Sequence, residues 1–192
     1  MGCLQAKDKE PEPPPPKEPE AKKVDPRLPF ESYRQLFNMK NSWKAVGRTL
    51  TQTAKECLMR LFKAHPEYQK MHKNLAKYDD LDKLMESTAF ENASLDVFNL
   101  FDEVMETSDK VDMHIATLQR AGKAHAKIPN FTANYFRDME QPFMESVKLA
   151  LGDRFTEATE KNFSLLFNYV VEQMLIGYNQ AGGAPAPDSN RV

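Results

Sequence analysis

Apolar residues recur at helical spacing from Pro29 to Tyr178. The clearest stripe is Phe163, Leu166, Phe167, Val170, Val171 and Met174, the i, i+3, i+4, i+7 pattern of a helix with one buried face. Thr156 stands ahead of it as an N-cap, with Glu157 and Glu160 in the first turns where the helix dipole favours acidic groups. A second stripe is Phe90, Val97, Phe98, Phe101, Val104 and Met105, opened by Thr88-Ala89-Phe90-Glu91, a capping-box pattern. A third is Tyr135, Phe136, Met139, Phe143, Val147 and Leu151, ending near Gly152. Pro142 lies inside it and predicts a kink. Two earlier helices carry Tyr33, Leu36, Phe37 and Trp43, then Ala54, Cys57, Leu58, Leu61 and Phe62. No alternating strand pattern of useful length occurs. The pattern predicts an all-α fold, one domain over 29–178, with a core large enough to enclose a ligand.

The ends of the chain read differently. Pro11, Pro13 to Pro16, Pro19, Pro26 and Pro29 alternate with Glu and Lys, and residues 1–28 offer little apolar surface to bury. Such composition predicts an extended, disordered linker, and the Gly, Ala and Pro-rich stretch 179–192 predicts a second disordered tail. The first residues carry an address. In Met1-Gly2-Cys3, removal of methionine exposes Gly2 for N-myristoylation, with Cys3 beside it for palmitoylation. Ala6 stands where the usual motif has Ser or Thr. One myristoyl chain holds a membrane only marginally, and the basic residues of the segment are matched by acidic ones, so acylation of Cys3 is the second signal required. The expectation is a cytoplasmic protein at the inner face of the plasma membrane.

Charge and cysteine content narrow the classes. Of 192 residues, Lys and Arg number 26 and Asp and Glu 28, for a net charge of -2. That balance argues against nucleic acid as a partner, since phosphate binding needs a basic excess. Cys3 and Cys57 make no disulfide framework, which points to a reducing compartment. Cys57 falls on an apolar helix face and reads as inert core.

Histidine is the main chemical resource, because there is no Cys pair, Gly-rich phosphate loop or nucleophile elbow. His65 precedes Pro66 and is expected to be exposed. His114 lies near the start of a polar helix and reads as an ordinary surface or satisfied core histidine. His125 differs: Ala121, Gly122 and Ala124 leave room beside it for a flat group, and Ile128-Pro129 ends the helix soon after. A planar cofactor whose iron takes an axial imidazole would use such a site.

At this point the chain resembles a globin. Ser42-Trp43-Lys44-Ala45-Val46-Gly47-Arg48 resembles the end of the family's first helix. Arg60-Leu61-Phe62 with His65-Pro66-Glu67 resembles the end of the second helix and the proline opening the third. Leu151-Gly152-Asp153-Arg154-Phe155-Thr156 resembles the turn before the last helix. The register from Phe90 to His125 is similar to that of neuroglobin, and the acylatable start is similar to that of the membrane-bound globins termed globin X. The resemblance implies a three-over-three helical sandwich around haem b. It puts His125 on the proximal ligand position, its other ring nitrogen donating to a backbone carbonyl. It makes Ala93, 32 residues earlier (125 − 93), the distal residue. Val97 then walls the ligand site, Leu58 lies above the distal pocket, and Ile128, Phe131 and Phe136 pack the haem edge.

Three departures from the family pattern follow. Ala93 replaces the distal histidine, and with it a hydrogen bond to a diatomic ligand of about 1.5–3 kcal/mol. His72 stands where the corner after the third helix normally presents a phenylalanine, and Leu75 replaces the next aromatic. His72 has three readings: a distal iron ligand, a polar wall without ligation, or a displaced, exposed side chain. Asp96 lies where globins often carry a basic residue facing a propionate, so it repels that group or turns to solvent. The leading function is a haem globin that reversibly binds oxygen or another diatomic gas, tethered to a membrane and serving sensing or electron transfer. The alternatives are a haem enzyme, reducing nitrite or dioxygenating nitric oxide with a separate reductase, and a haem-free interaction module.

Overall fold

The computed structural model describes residues 23–185. Residues 1–22, where a linker and acylation at Gly2 and Cys3 are expected, and residues 186–192 lie outside that range. Among the described residues there are nine α-helices and no strand. They are α1 Tyr33–Gly47, α2 Leu50–Ala64, α3 Pro66–Met71, α4 Leu81–Glu86, α5 Thr88–Glu106, α6 Val111–His125, α7 Asn134–Asp138, α8 Glu140–Leu151 and α9 Glu157–Gln180. A 3-10 turn, Gly152–Arg154, joins α8 to α9.

Caps set the boundaries. Thr156 accepts a hydrogen bond from the Thr159 amide and starts α9 as its sequence suggests. For α5 the cap is Ser87, one residue before the expected Thr88: its hydroxyl accepts from the Phe90 amide. The third stripe is not one kinked helix. It divides at Met139 into α7 and α8, and Pro142 sits in the first turn of α8. A proline there loses nothing, because first-turn amides have no intrahelical acceptor, while its missing N–H cannot serve the carbonyl of Asp138, where α7 ends. Gly152 closes α8 with φ 55°, a left-handed backbone that a side chain would strain.

The helices form the three-over-three sandwich, with α1, α5 and α6 packed against α2, α8 and α9. The tightest crossing is α6 on α9. A Cβ at Gly122 would lie 1.9 Å from the Met174 carbonyl oxygen, and one at Gly177 would lie 1.9 Å from that of Gln119. Two glycines therefore allow backbone-to-backbone contact and pin the C-terminal half of α6 against α9. Leu36, Met39, Trp43 and Val46 bury one face of α1, whereas Tyr33 and Phe37, expected in the core, point outward. The helical moment of that segment is satisfied by the Met39 and Val46 phase instead.

Both ends of the packed domain reach beyond the expected 29–178. Leu28 is buried, and Arg27 pairs with Asp25 and with Asp112 on α6. At the other end α9 continues to Gln180, and the chain folds back so that the Gly183 amide donates to the Tyr178 carbonyl. The buried Tyr178 hydroxyl lies 2.9 Å from the Phe131 carbonyl oxygen and 3.0 Å from that of Ala184. The phenol thus ties this C-terminal turn to the loop after α6.

Candidate functional site

Between α5 and α6 the sandwich leaves a cavity of about 510 Å³. Its walls come from α2 (Leu58), the chain after α3 (His72), α5 (Ala93, Asp96, Val97, Asn99, Leu100, Phe101), α6 (Ala121, Ala124, His125), α7 with Met139 (Tyr135, Phe136), and α9 (Phe167, Val170, Val171, Met174). The lining is overwhelmingly apolar. Six positions anticipated from sequence meet there: Leu58, His72, Ala93, Val97, His125 and Phe136. Ile128 and Phe131 do not reach the wall. Ile128 is half-buried against the core. Phe131 is turned behind His125, its ring centroid 5.0 Å from the imidazole and 5.7 Å from Tyr178, where the carbonyl anchored by Tyr178 holds it.

His125 is the last residue of α6, and its ring folds back one turn along the helix. Its Nδ1 lies 2.8 Å from the Ala121 carbonyl oxygen, so Nδ1–H is the donor and the lone pair rests on Nε2. Among the described residues Nε2 has no hydrogen-bond partner. Phe131 and Phe136 clamp the ring, the latter edge-on at 5.2 Å. Burial holds the imidazole below its ordinary pKa, against the opposing effect of the Ala121 hydrogen bond, so it is neutral near pH 7. A neutral, oriented, basic nitrogen facing an apolar cavity is a metal-ligand arrangement.

His72 is half-buried at the same cavity. Its Nε2 lies 3.1 Å from the Tyr135 hydroxyl, and its ring packs near Phe62. Burial lowers its pKa, and the His125 imidazole lowers it further, so it too is neutral. The reading that displaced it to solvent is not the arrangement found. Asp96 is exposed at the mouth, having turned to solvent as one of its two readings required.

The donor set fits haem: a slot lined by small and apolar side chains, two neutral imidazoles, and no thiolate. Among the described residues no group of three His, Cys, Asp or Glu is placed to hold a bare metal ion. Cys57 is buried beside Met139, with its thiol pKa pushed up by burial, and is inert packing. Sequence reading placed Ala121 and Ala124 beside His125, as found, and missed Asn99, Leu100, Phe101, Tyr135, Met139 and the α9 wall as site residues. For Leu100 and Phe101 the signal was present, since each lies one turn after Val97 on α5.

The globin family model matches residues 55–174. The chain belongs to the globin family. Among solved structures, this globin is similar to a hexacoordinated haem protein from an anhydrobiotic tardigrade, whose crystal structure was determined at pH 4. The two share 30% identity and a TM-score of 0.76, over 81% of this chain and 99% of that one. No curated protein matches the chain. The other two histidines of this globin serve other ends. His114 is a satisfied core residue between Thr107 and Tyr169. His65, expected to be exposed, is half-buried and stacks on Tyr68 at 4.9 Å.

Proposed function

We propose that this globin holds haem b between α5 and α6, with His125 Nε2 as the axial ligand to iron. The observation that carries the reading is the Nδ1–H of His125 committed to the Ala121 carbonyl at 2.8 Å, which leaves Nε2 for a metal. When bound, haem supplies reversible binding of a diatomic gas and one-electron exchange. The chain's own residues do the rest. Ala121 and Ala124 leave room for a flat group beside α6, Val97 and Leu58 wall the opposite side, and Phe136 fixes the imidazole edge. Ala93 donates no hydrogen bond, so a gas would be retained only by fit and by whatever His72 offers.

His72, a neutral imidazole at the same cavity, is placed to compete for or assist the second axial side. That favours a redox or sensing protein over an oxygen store. The N-terminal Gly2 and Cys3, doubly acylated, would hold it at the cytoplasmic face of the plasma membrane, with electrons delivered by a separate reductase.

The test is the absorption spectrum of the full chain beside His125→Ala and His72→Leu. Loss of haem, or of the histidine-ligated spectrum, is expected in His125→Ala. An unchanged spectrum there would sink the assignment. Conversion from six- to five-coordinate in His72→Leu would make His72 the second ligand. For the anchor, wild type should sediment with membranes from cells that acylate proteins, and Gly2→Ala should not.

A further inference from the structure

One wall of the cavity continues outward as a line of oxidisable rings. Tyr135 borders the cavity, and its hydroxyl lies 3.1 Å from His72 Nε2. Its ring is 4.5 Å, centroid to centroid, from that of Tyr68. Tyr68 donates to an Asp138 carboxylate oxygen at 2.5 Å and stacks on His65, whose side chain is 35% exposed. The three rings span the wall without a break.

The hydrogen bonds make this more than a contact. Oxidising a phenol alone creates a radical cation that must shed its proton, and in a buried site the charge is costly. Each phenol here has its own base: His72 for Tyr135 and Asp138 for Tyr68. A phenol carries its proton at neutral pH, so an electron must leave with one. The other cavity aromatics, Phe101, Phe136 and Phe167, have no proton to give.

We propose that Tyr135 and Tyr68 form a one-electron relay between the haem cavity and the surface at His65 and Asp138. The proposal rests on the haem reading above. The overall reaction is reduction of hydrogen peroxide to two waters by two ascorbate monoanions, each giving one electron and one proton and leaving as an ascorbyl radical anion. For each electron, the Tyr135 phenol gives an electron inward and its proton to His72 Nε2. Tyr68 then gives an electron to the Tyr135 ring and its own proton to Asp138, and His72 returns its proton to Tyr135. Ascorbate at the surface restores Tyr68 with its electron, Tyr68 recovers its proton from Asp138, and the ascorbate proton passes to solvent, which supplies one proton to the peroxide oxygens in the cavity for each electron delivered.

The experiment uses the full haem-loaded chain, treated with hydrogen peroxide and a nitroso spin trap, read by electron paramagnetic resonance and by peptide mapping of the trap. Wild type should carry the adduct on Tyr68. In Tyr68→Phe it should move to Tyr135, and in the double variant Tyr68→Phe/Tyr135→Phe it should vanish from this wall while ascorbyl formation slows. Tyr78→Phe, away from the line, should behave as wild type. Adducts on Trp43 or Tyr78 in place of Tyr68, or no change in the double variant, would overturn the relay while leaving the haem site standing. A preparation with no haem absorption would defeat both.

Discussion

His114 and His72 each face a tyrosine hydroxyl with Nε2, at 2.9 Å from Tyr169 and 3.1 Å from Tyr135. The pairs are chemically alike and their surroundings are not. The His114 side is solid: the residue is 0% exposed, and its Nδ1 also contacts the Thr107 hydroxyl at 3.1 Å and the Thr107 carbonyl at 3.3 Å. Both ring nitrogens are committed, and the pair joins α6 to α9 where Asp112 receives Arg27 from the chain before α1. His72 has one nitrogen engaged and borders the cavity. A histidine–tyrosine pair is therefore structural where packing closes around it. It becomes available for chemistry where the fold leaves space beside it and a second imidazole across that space.

Removing the two imidazoles should expose this difference most strongly. His114→Ala leaves a void and strands both the Tyr169 hydroxyl and the Thr107 groups, so a loss of about 3 kcal/mol is expected. His72→Ala opens onto an existing cavity, and about 1 kcal/mol is expected. Urea unfolding followed by the fluorescence of Trp43, the chain's single tryptophan, measures both. Equal losses would erase the distinction drawn between the pairs.

Trimming only the hydroxyls is a milder version. Tyr169→Phe keeps the ring but leaves a fully buried Nε2 without a partner, for about 1–3 kcal/mol. Tyr135→Phe should cost about 0.5–1.5 kcal/mol, since His72 Nε2 can turn to water or ligand at the cavity. The second variant should change the spectrum more than the stability, and the first the reverse. A Tyr135→Phe protein with wild-type spectrum and a large stability loss would place that hydroxyl in the scaffold.

How far these roles can be read from sequence depends on whether partners are near in the chain. His125 is legible because its surroundings, Ala121, Gly122 and Ala124, lie within one turn of it. Leu58, Ala93 and Val97 follow from helical phase and the family resemblance. The His72–Tyr135 contact spans 63 residues and the Tyr68–Asp138 contact 70, and no local pattern announces either. Tyr33 and Phe37 mislead because the amphipathic phase of α1 admits two readings, and only packing chooses the one with Met39 and Val46 inside. The cap at Ser87 instead of Thr88 reflects two adjacent hydroxyl residues with the same chemistry. Helices, their order and the His125 imidazole are thus local information, whereas the polar wall of the cavity is a product of the fold.

The smallest expected effect is the pH dependence of the closed pair. Burial pushes the His114 pKa below its ordinary value, outweighing the Thr107 hydrogen bond and the nearby Glu103 and Asp25, while Arg27 adds to the depression. The unfolded chain, with an ordinary imidazole near 6.5, therefore binds a proton before the folded one does. More protons on the unfolded state means that stability falls as pH falls, beginning near the unfolded pKa and continuing until the folded pKa is passed. Above that window both states are neutral and the contribution is complete. His72 and His125 shift in the same direction, so the whole protein should lose stability between neutral and mildly acidic pH. Replacing His114 by Gln, which retains a donor and an acceptor but no proton to gain, should flatten that loss by one histidine's share. The comparison to make is the stability difference between pH 7 and pH 5 in the two proteins. If the wild type and the Gln variant lose the same amount, His114 takes up its proton without disturbing Tyr169, and the pair is less closed than its geometry indicates.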